Sequence, residues 1–226
     1  MIPSPYYETE AIEQRVREGR HRDAIGGMWE EIGQLQVDFL CRNGLRPGHR
    51  LLDIGCGSLR AGVRLVAYLE PDHYWGTDLN SSLLDAGYNI EIQALGLTNR
   101  LSRSHLVCDT DFSFPDIRGP FDYVLAQSVF THLPFNHFRR CLARLRPITI
   151  SEGRLFATFF ICPNDQPIDQ PFTHQPGARQ TTDIADPFHY RAADLAYGAS
   201  ETGWNLVSLG DWNHPRGQKI AIFSPA

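Results

Sequence analysis

The ten residues Leu51-Leu52-Asp53-Ile54-Gly55-Cys56-Gly57-Ser58-Leu59-Arg60 constrain this chain more than any others. A short apolar strand, Arg50–Ile54, runs straight into Gly55 and Gly57, and a helix over Leu59–Leu69 follows and stops before Pro71. Glycine at a strand-to-helix turn lets the backbone come close to a ligand. The first turn of the helix adds unpaired N–H groups. The plainer alternative is a tight turn that holds nothing. Either way, the pattern asks for a sheet whose strands alternate with helices.

The rest of the sequence supplies one. Strands are predicted at His73–Thr77, Ser104–Cys108, Phe121–Ala126 and Arg154–Phe160, with helices at Ser81–Leu95, Phe135–Leu145 and Arg191–Thr202. Near-continuous apolar strands alternating with helices make a parallel sheet covered on both faces. The last two strands, Trp204–Leu209 and Lys219–Phe223, have only a turn-rich segment between them, and so short a link favours an antiparallel pair. The expectation is therefore a seven-stranded, mostly parallel sheet with one antiparallel strand near its edge. Residues 1–45 read as a helical cap, ended by Arg46-Pro47-Gly48, and residues 46–226 as the main domain. Residues 162–190, rich in Pro, Gln, Asp and His, read as a long irregular loop over the site, because such loops in compact domains are usually functional or disordered.

Three further segments lie where the strands of such a sheet end. Tyr74–Asn80 carries Asp78, whose carboxylate has either a ribose diol to bind or the next helix to cap. Val107–Phe112 offers Asp109 and Asp111, with Thr110 between them. Phe121–Leu133 brings Gln127 and Ser128 to the open end of its strand, followed by His132. In the glycine loop, a dinucleotide pattern would want glycine at position 60, where Arg60 stands. An anionic pyrophosphate would also sit badly beside Asp53, whereas a ligand with an ammonium and a sulfonium would suit it.

Leu51–Gly57 resembles motif I of the class I S-adenosylmethionine-dependent methyltransferases, with Leu59 in place of the usual third glycine. Asp78 matches the acidic residue of the family's motif II, and Phe121–Leu133 is similar to motif IV and its extension; together the motifs cover roughly residues 45–160. The resemblance implies a Rossmann-like three-layer α/β sandwich with S-adenosyl-L-methionine as cofactor. It places Asp53, Gly55, Cys56 and Gly57 at the methionyl end, Asp78 and Leu79 at the ribose, Asp109 and Thr110 at the adenine, and Gln127 beside them at the strand end. Trp29 and Gln34 are expected either to cap the cofactor or to pack a helix on the sheet.

Methyl transfer to a hydroxyl needs a base, most often histidine. His132, near the cofactor loop, and His189, before the last helix, are the candidate catalytic residues. A metal group of His174, Asp183, Asp186 and His189 lacks a diagnostic spacing, so no metal is expected. The polar 162–190 segment suits a small-molecule or saccharide acceptor, although Phe160, Phe172, Phe188, Tyr190 and Trp212 would offer a flat apolar acceptor a wall. A formal net charge of −5 argues against nucleic acid, and the cluster Arg139, Arg140, Arg144 and Arg146 reads as a solvated helix face. The polar stretch Met1–Glu10 is no signal peptide. No apolar run approaches the ~20 residues of a membrane helix. Five cysteines without a CxxC pair fit a reducing, cytoplasmic setting, and a homodimer is possible. The rivals are a nicotinamide-dependent oxidoreductase and a non-catalytic Rossmann-like binding protein.

Overall fold

The structure, a computed structural model, describes residues 4–226; Met1–Pro3, the start of the stretch read as no signal peptide, lie outside the described residues. Helices α1 (Thr9–Arg17), α2 (His21–Ala24) and α3 (Trp29–Arg42) precede the sheet. On α3 the buried residues are Trp29, Ile32, Gly33, Gln36, Val37 and Leu40, a stripe at helical spacing with one amide side chain inside it.

Strand β1 (Leu51–Ile54) lies at the centre, paired in parallel with β2 (Tyr74–Asp78) on one side and β4 (Phe121–Ala126) on the other. All four β1 residues are buried, because side chains alternate between two covered faces. Leu52 and Ile54 join the core under α6 (Phe135–Leu145) and α7 (Ala192–Ser200). Leu51 joins the opposite core, with α3 and α4 (Gly62–Tyr68). With β3 (Leu106–Cys108), β5 (Thr149–Ile161), β9 (Trp204–Gly210) and β10 (Lys219–Pro225), the sheet runs β3-β2-β1-β4-β5-β10-β9. Strand β10 is antiparallel to both neighbours. The chain has the α/β Rossmann-like fold, with its one reversed strand near the edge as expected.

Three elements depart from the sequence reading. Strand β5 begins at Thr149 and not at Arg154: the register with β4 jumps from Phe121↔Thr149 to Tyr123↔Arg154, so the intervening residues bulge instead of turning. The second βα helix is broken, with α5 (Ser81–Ala86) passing into a π-helical segment at Gly87–Ile92. There Leu59 reaches across: a Cβ on Gly87 would sit 2.7 Å from the Leu59 Cγ. Residues 162–190 are mostly turns and bends but hold three short strands. These are the hairpin β6 (Phe172–His174)–β7 (Arg179–Thr181) and then β8 (His189–Tyr190), which pairs in parallel with the end of β5.

Among the described residues no helix is long and apolar enough to cross a membrane. All five cysteines are free. Arg140 and Arg144 pair with Asp111 on the surface of α6.

Candidate active site

A cavity of about 1020 Å³, partly open to solvent, lies at the C-terminal ends of β1, β2, β3 and β4, where open α/β sheets bind ligands. Gly55 (φ +68°) and Gly57 (φ +56°) turn the chain there in the left-handed region. Neither leaves room for a side chain: a Cβ would meet Val129 Cγ2 at 2.5 Å from Gly55, and Ile25 Cγ2 at 2.7 Å from Gly57. Leu59, at φ +70°, takes the same strained conformation, with its side chain packed against the Gly62 and Gly87 positions.

Two acids face the cavity. Asp53 is buried and accepts a hydrogen bond from the Tyr74 hydroxyl at 2.8 Å. Burial pushes its carboxyl up to about 7, against the opposing pull of Tyr74 and Arg60. Asp78 accepts from the Gly57 and Asn80 N–H groups, each at 2.9 Å. Burial lifts it to about 6. Its bonds tie the two loops together, and no side chain caps the first turn of α5. Of the two candidate acids after β3, Asp109 lines the cavity and Asp111 pairs with arginine outside it. The Asp109 carboxylate is committed to its own loop, accepting from the N–H groups of Asp111, Ser113 and Phe114.

Cys56, Leu79, Thr110 and Gln127 also line the cavity. The Gln127 amide accepts from Arg60 Nη2 at 2.6 Å and donates to Ser128 Oγ at 2.6 Å. Trp29 and Gln34 do not reach it: Trp29 is packed in the core under the Arg22 guanidinium, and Gln34 bonds Asp38 on the exposed side of α3. The N-terminal contribution comes instead from Ser4, Tyr6, Tyr7, Ile25 and Gln36. Tyr6 is signalled by nothing around it in sequence, but Gln36 is the one polar side chain in a buried helical stripe.

A second hollow, about 820 Å³ and open, adjoins the first; Tyr6 and His132 line both. Its walls include the charged residues Glu8, Arg15, Asp23, Arg179 and Asp186, with Ile12 and Pro187 among them. His132 follows β4 on a short 3-10 turn, Phe130–His132. The chain before β8 is bound to that turn, through the Phe188 N–H to Thr131 O at 2.8 Å and the Tyr190 hydroxyl to Leu133 O. This brings Asp186, 54 positions away, within 2.6 Å of His132 Nδ1. Burial alone would raise Asp186, but the bond and the charge of His132 outweigh it and hold the carboxyl below its ordinary value. When the ring is neutral, the ionised acid takes the Nδ1 proton, and the lone pair then lies on Nε2. Tyr6 meets the ring edge-on, 4.7 Å between centroids.

His189 is not at either hollow. It is buried, with Nδ1 on the Thr181 hydroxyl at 2.8 Å and Nε2 on the Ile168 carbonyl at 2.9 Å. His174 shares the same hydroxyl. Of the four residues weighed as a metal group, His174 and His189 share one network while Asp186 is bonded to His132 in another, and among the described residues no three His, Cys, Asp or Glu side chains converge in a metal-holding group. The aromatic residues weighed as an apolar wall are elsewhere too: Phe188 and Tyr190 lie in the core, Phe160 and Phe172 pack on His174, and Trp212 packs on Phe39.

Residues 52–155, from β1 through the first part of β5, match the profile of a family described as a methyltransferase domain. Over that segment, just under half of its length, the chain is similar to the class I S-adenosylmethionine-dependent methyltransferases. Solved structures of low identity agree in fold. Magnesium protoporphyrin IX methyltransferase from Synechocystis PCC 6803, with S-adenosylmethionine bound, superposes at TM-score 0.60 with 17% identity over 86% of this chain and 81% of that one. The CcbJ methyltransferase of Streptomyces caelestis gives 0.65, 15%, 89% and 98%. An S-adenosylmethionine-dependent methyltransferase of Clostridium acetobutylicum ATCC 824 gives 0.64, 12%, 98% and 99%.

The cavity fits S-adenosylmethionine, the molecule bound in the first of these structures. Two acids face a space that a cationic ligand would enter, and a glycine turn leaves the backbone bare. Two of the residues that line it, Gln36 and Arg60, each carry a buried polar atom, Oε1 and Nε, without a partner among the described residues.

Proposed function

We propose that this methyltransferase methylates a hydroxyl on a polar small molecule, a saccharide being the leading class, with His132 as general base. The observation that carries this reading is the position of His132: it borders both hollows, is held by Asp186, and keeps Nε2 free. The charged lining of the second hollow favours a polar acceptor over a flat aromatic one.

When bound, S-adenosylmethionine supplies an electrophilic methyl group on a positive sulfur, with a neutral thioether as leaving group. Asp53, Gly55, Cys56 and Gly57 hold its methionyl end, the two acids and the bare backbone together favouring positive charge there. Asp78 and Leu79 meet the ribose. The Asp78 carboxylate retains lone pairs beyond those already engaged. Asp109 shapes the loop that presents Thr110 to the adenine. Gln127 closes the cavity near the reacting methyl.

The acceptor hydroxyl enters from the second hollow, and Tyr6 and the 162–190 segment fix its approach. As the oxygen attacks in line, its proton passes to His132 Nε2, and Asp186 stabilises the imidazolium that results. Alignment of two bound reactants accounts for the rest of the acceleration.

Turnover with a panel of hydroxyl-bearing small molecules, saccharides included, tests the reading. His132→Ala is expected to bind S-adenosylhomocysteine normally and to lose most turnover. Full turnover in that variant would refute the base, and methylation of flat aromatic compounds alone would refute the acceptor class.

A further inference from the structure

Strand β4 leads into a strained corner. Ser128, two residues past it, has φ +59°. This is the left-handed region, which a residue with a Cβ avoids unless its surroundings hold it there. What holds it comes from β5 and from the residue before β10. The Ser128 N–H donates to the Thr158 hydroxyl at 2.7 Å, one residue beyond the last pairing of β4 with β5, Ala126↔Ala157. That hydroxyl has one proton, and it donates it to Gln218 Oε1 at 2.7 Å. Gln218 Nε2 donates in turn to Ser128 Oγ at 2.8 Å. Thr158 is wholly buried and Gln218 nearly so. Neither lines the cofactor cavity or the hollow beside it.

The corner decides where His132 stands. The Ser128 carbonyl accepts from the Thr131 hydroxyl at 3.0 Å, and the Val129 carbonyl from the His132 N–H at 3.1 Å, so the Phe130–His132 turn hangs from it. Asp186 is located separately, from further along β5. His189 and Tyr190 of β8 pair with Phe160 and Ile161, and the Pro187 carbonyl accepts from the Thr182 N–H at 3.1 Å. Thr158 and Phe160 stand two residues apart on β5. One strand therefore fixes both partners of the 2.6 Å contact between His132 Nδ1 and Asp186. The need to satisfy buried polar groups would explain the bond between Thr158 and Gln218 by itself. It does not explain why the chain accepts an unfavourable φ at Ser128 to meet them.

We propose that Thr158 and Gln218 are positioning residues for methyl transfer: by holding Ser128 in its left-handed corner, they set the turn that presents His132 to Asp186 and to the acceptor. The inference rests on the base assignment above.

Nitrogen-15 spectra of the histidine rings in the full chain test it without an acceptor, the His132 signals being identified by their loss in His132→Ala. In wild-type protein the neutral ring should carry its proton on Nδ1. Thr158→Val, close in shape but without the hydroxyl, is expected to move the ratio of the two tautomers at least about threefold towards Nε2–H. Thr158→Ser, which keeps the hydroxyl, should retain the wild-type ratio. Gln218→Leu should act as Thr158→Val does, and it carries the test if that variant fails to fold. Turnover of the hydroxyl panel should fall at least about tenfold in Thr158→Val. With His132→Ala already present it should fall by less than about twofold, because residues that act through one group are not additive. A wild-type tautomer ratio in folded Thr158→Val or Gln218→Leu protein, or a loss that multiplies in full onto that of His132→Ala, would overturn the proposal alone. A wild-type ring protonated on Nε2 would overturn the base assignment along with it.

Discussion

The cofactor cavity and the second hollow share two side chains but are built in different ways. The acids, glycines and amide of the first stand at the C-terminal ends of four adjacent parallel strands, Asp53 on β1, Asp78 on β2, Asp109 just past β3 and Gln127 just past β4. Sheet geometry alone converges them. The second hollow joins Tyr6, His132 and Asp186, which no shared element places together. It depends on the N-terminal segment lying over the sheet and on the 186–190 chain being bonded to the Phe130–His132 turn. A site made by strand ends is set by backbone conformation. A site made by packing is set by side chains, and it is easier to vary one residue at a time.

That difference is most open to attack at the glycine loop. Gly55→Ala puts a methyl group into Val129 at a positive φ. It should cost ~2–4 kcal/mol of stability and abolish cofactor binding, as read by thermal unfolding and calorimetry. If the variant binds S-adenosylhomocysteine normally, backbone conformation does not set this half of the site.

Next in size is the packed half. His132→Ala should lower turnover ~10²–10⁴-fold, with cofactor affinity within about twofold, and Asp186→Asn should lower it less. His189→Ala should instead reduce the melting temperature, with turnover per folded molecule retained, since both ring nitrogens serve the β6–β8 region.

Acidification should separate the halves as well. The carboxyl of Asp53 sits near 7 and that of Asp78 near 6 because burial opposes their charge. Below those values they are protonated and lose their attraction for the cationic cofactor. Affinity for S-adenosylmethionine should therefore fall as pH drops through this range, by up to about tenfold per unit for one group. Asp53→Asn should flatten the upper part of the profile. The smallest effect is expected at Tyr6, where the edge-on contact with His132 is worth ~0.5–1.5 kcal/mol. Tyr6→Ala should raise the acceptor KM about two- to tenfold.

The same division explains how far the sequence could be read. The glycine loop, Asp78 and Gln127 were legible because a parallel strand end brings its next residues to the ligand whatever surrounds it. The single reversed strand was legible from the short link before Lys219. What escaped was packing. Arg60 counts only as a missing glycine until its guanidinium is seen facing the cavity. Gln36 is one polar residue on an otherwise buried face, a signal present in the sequence but easily read as a break in the apolar side. Asp186, before a proline, looks like a turn residue until β8 docks beside His132. Tyr6 stands in a polar stretch with no periodicity, and His189 has the right chemistry but is enclosed by the β6–β7 hairpin, which a Pro- and Gln-rich composition concealed.

The central claim is that the two hollows meet at His132. A crystal structure with S-adenosylhomocysteine bound tests it whatever the acceptor turns out to be. The sulfur should face His132 Nε2 across a gap that admits one acceptor oxygen, on the order of 5–7 Å, with Asp186 still on Nδ1. A sulfur turned away from His132, or walled off from the second hollow by Tyr6, would contradict it.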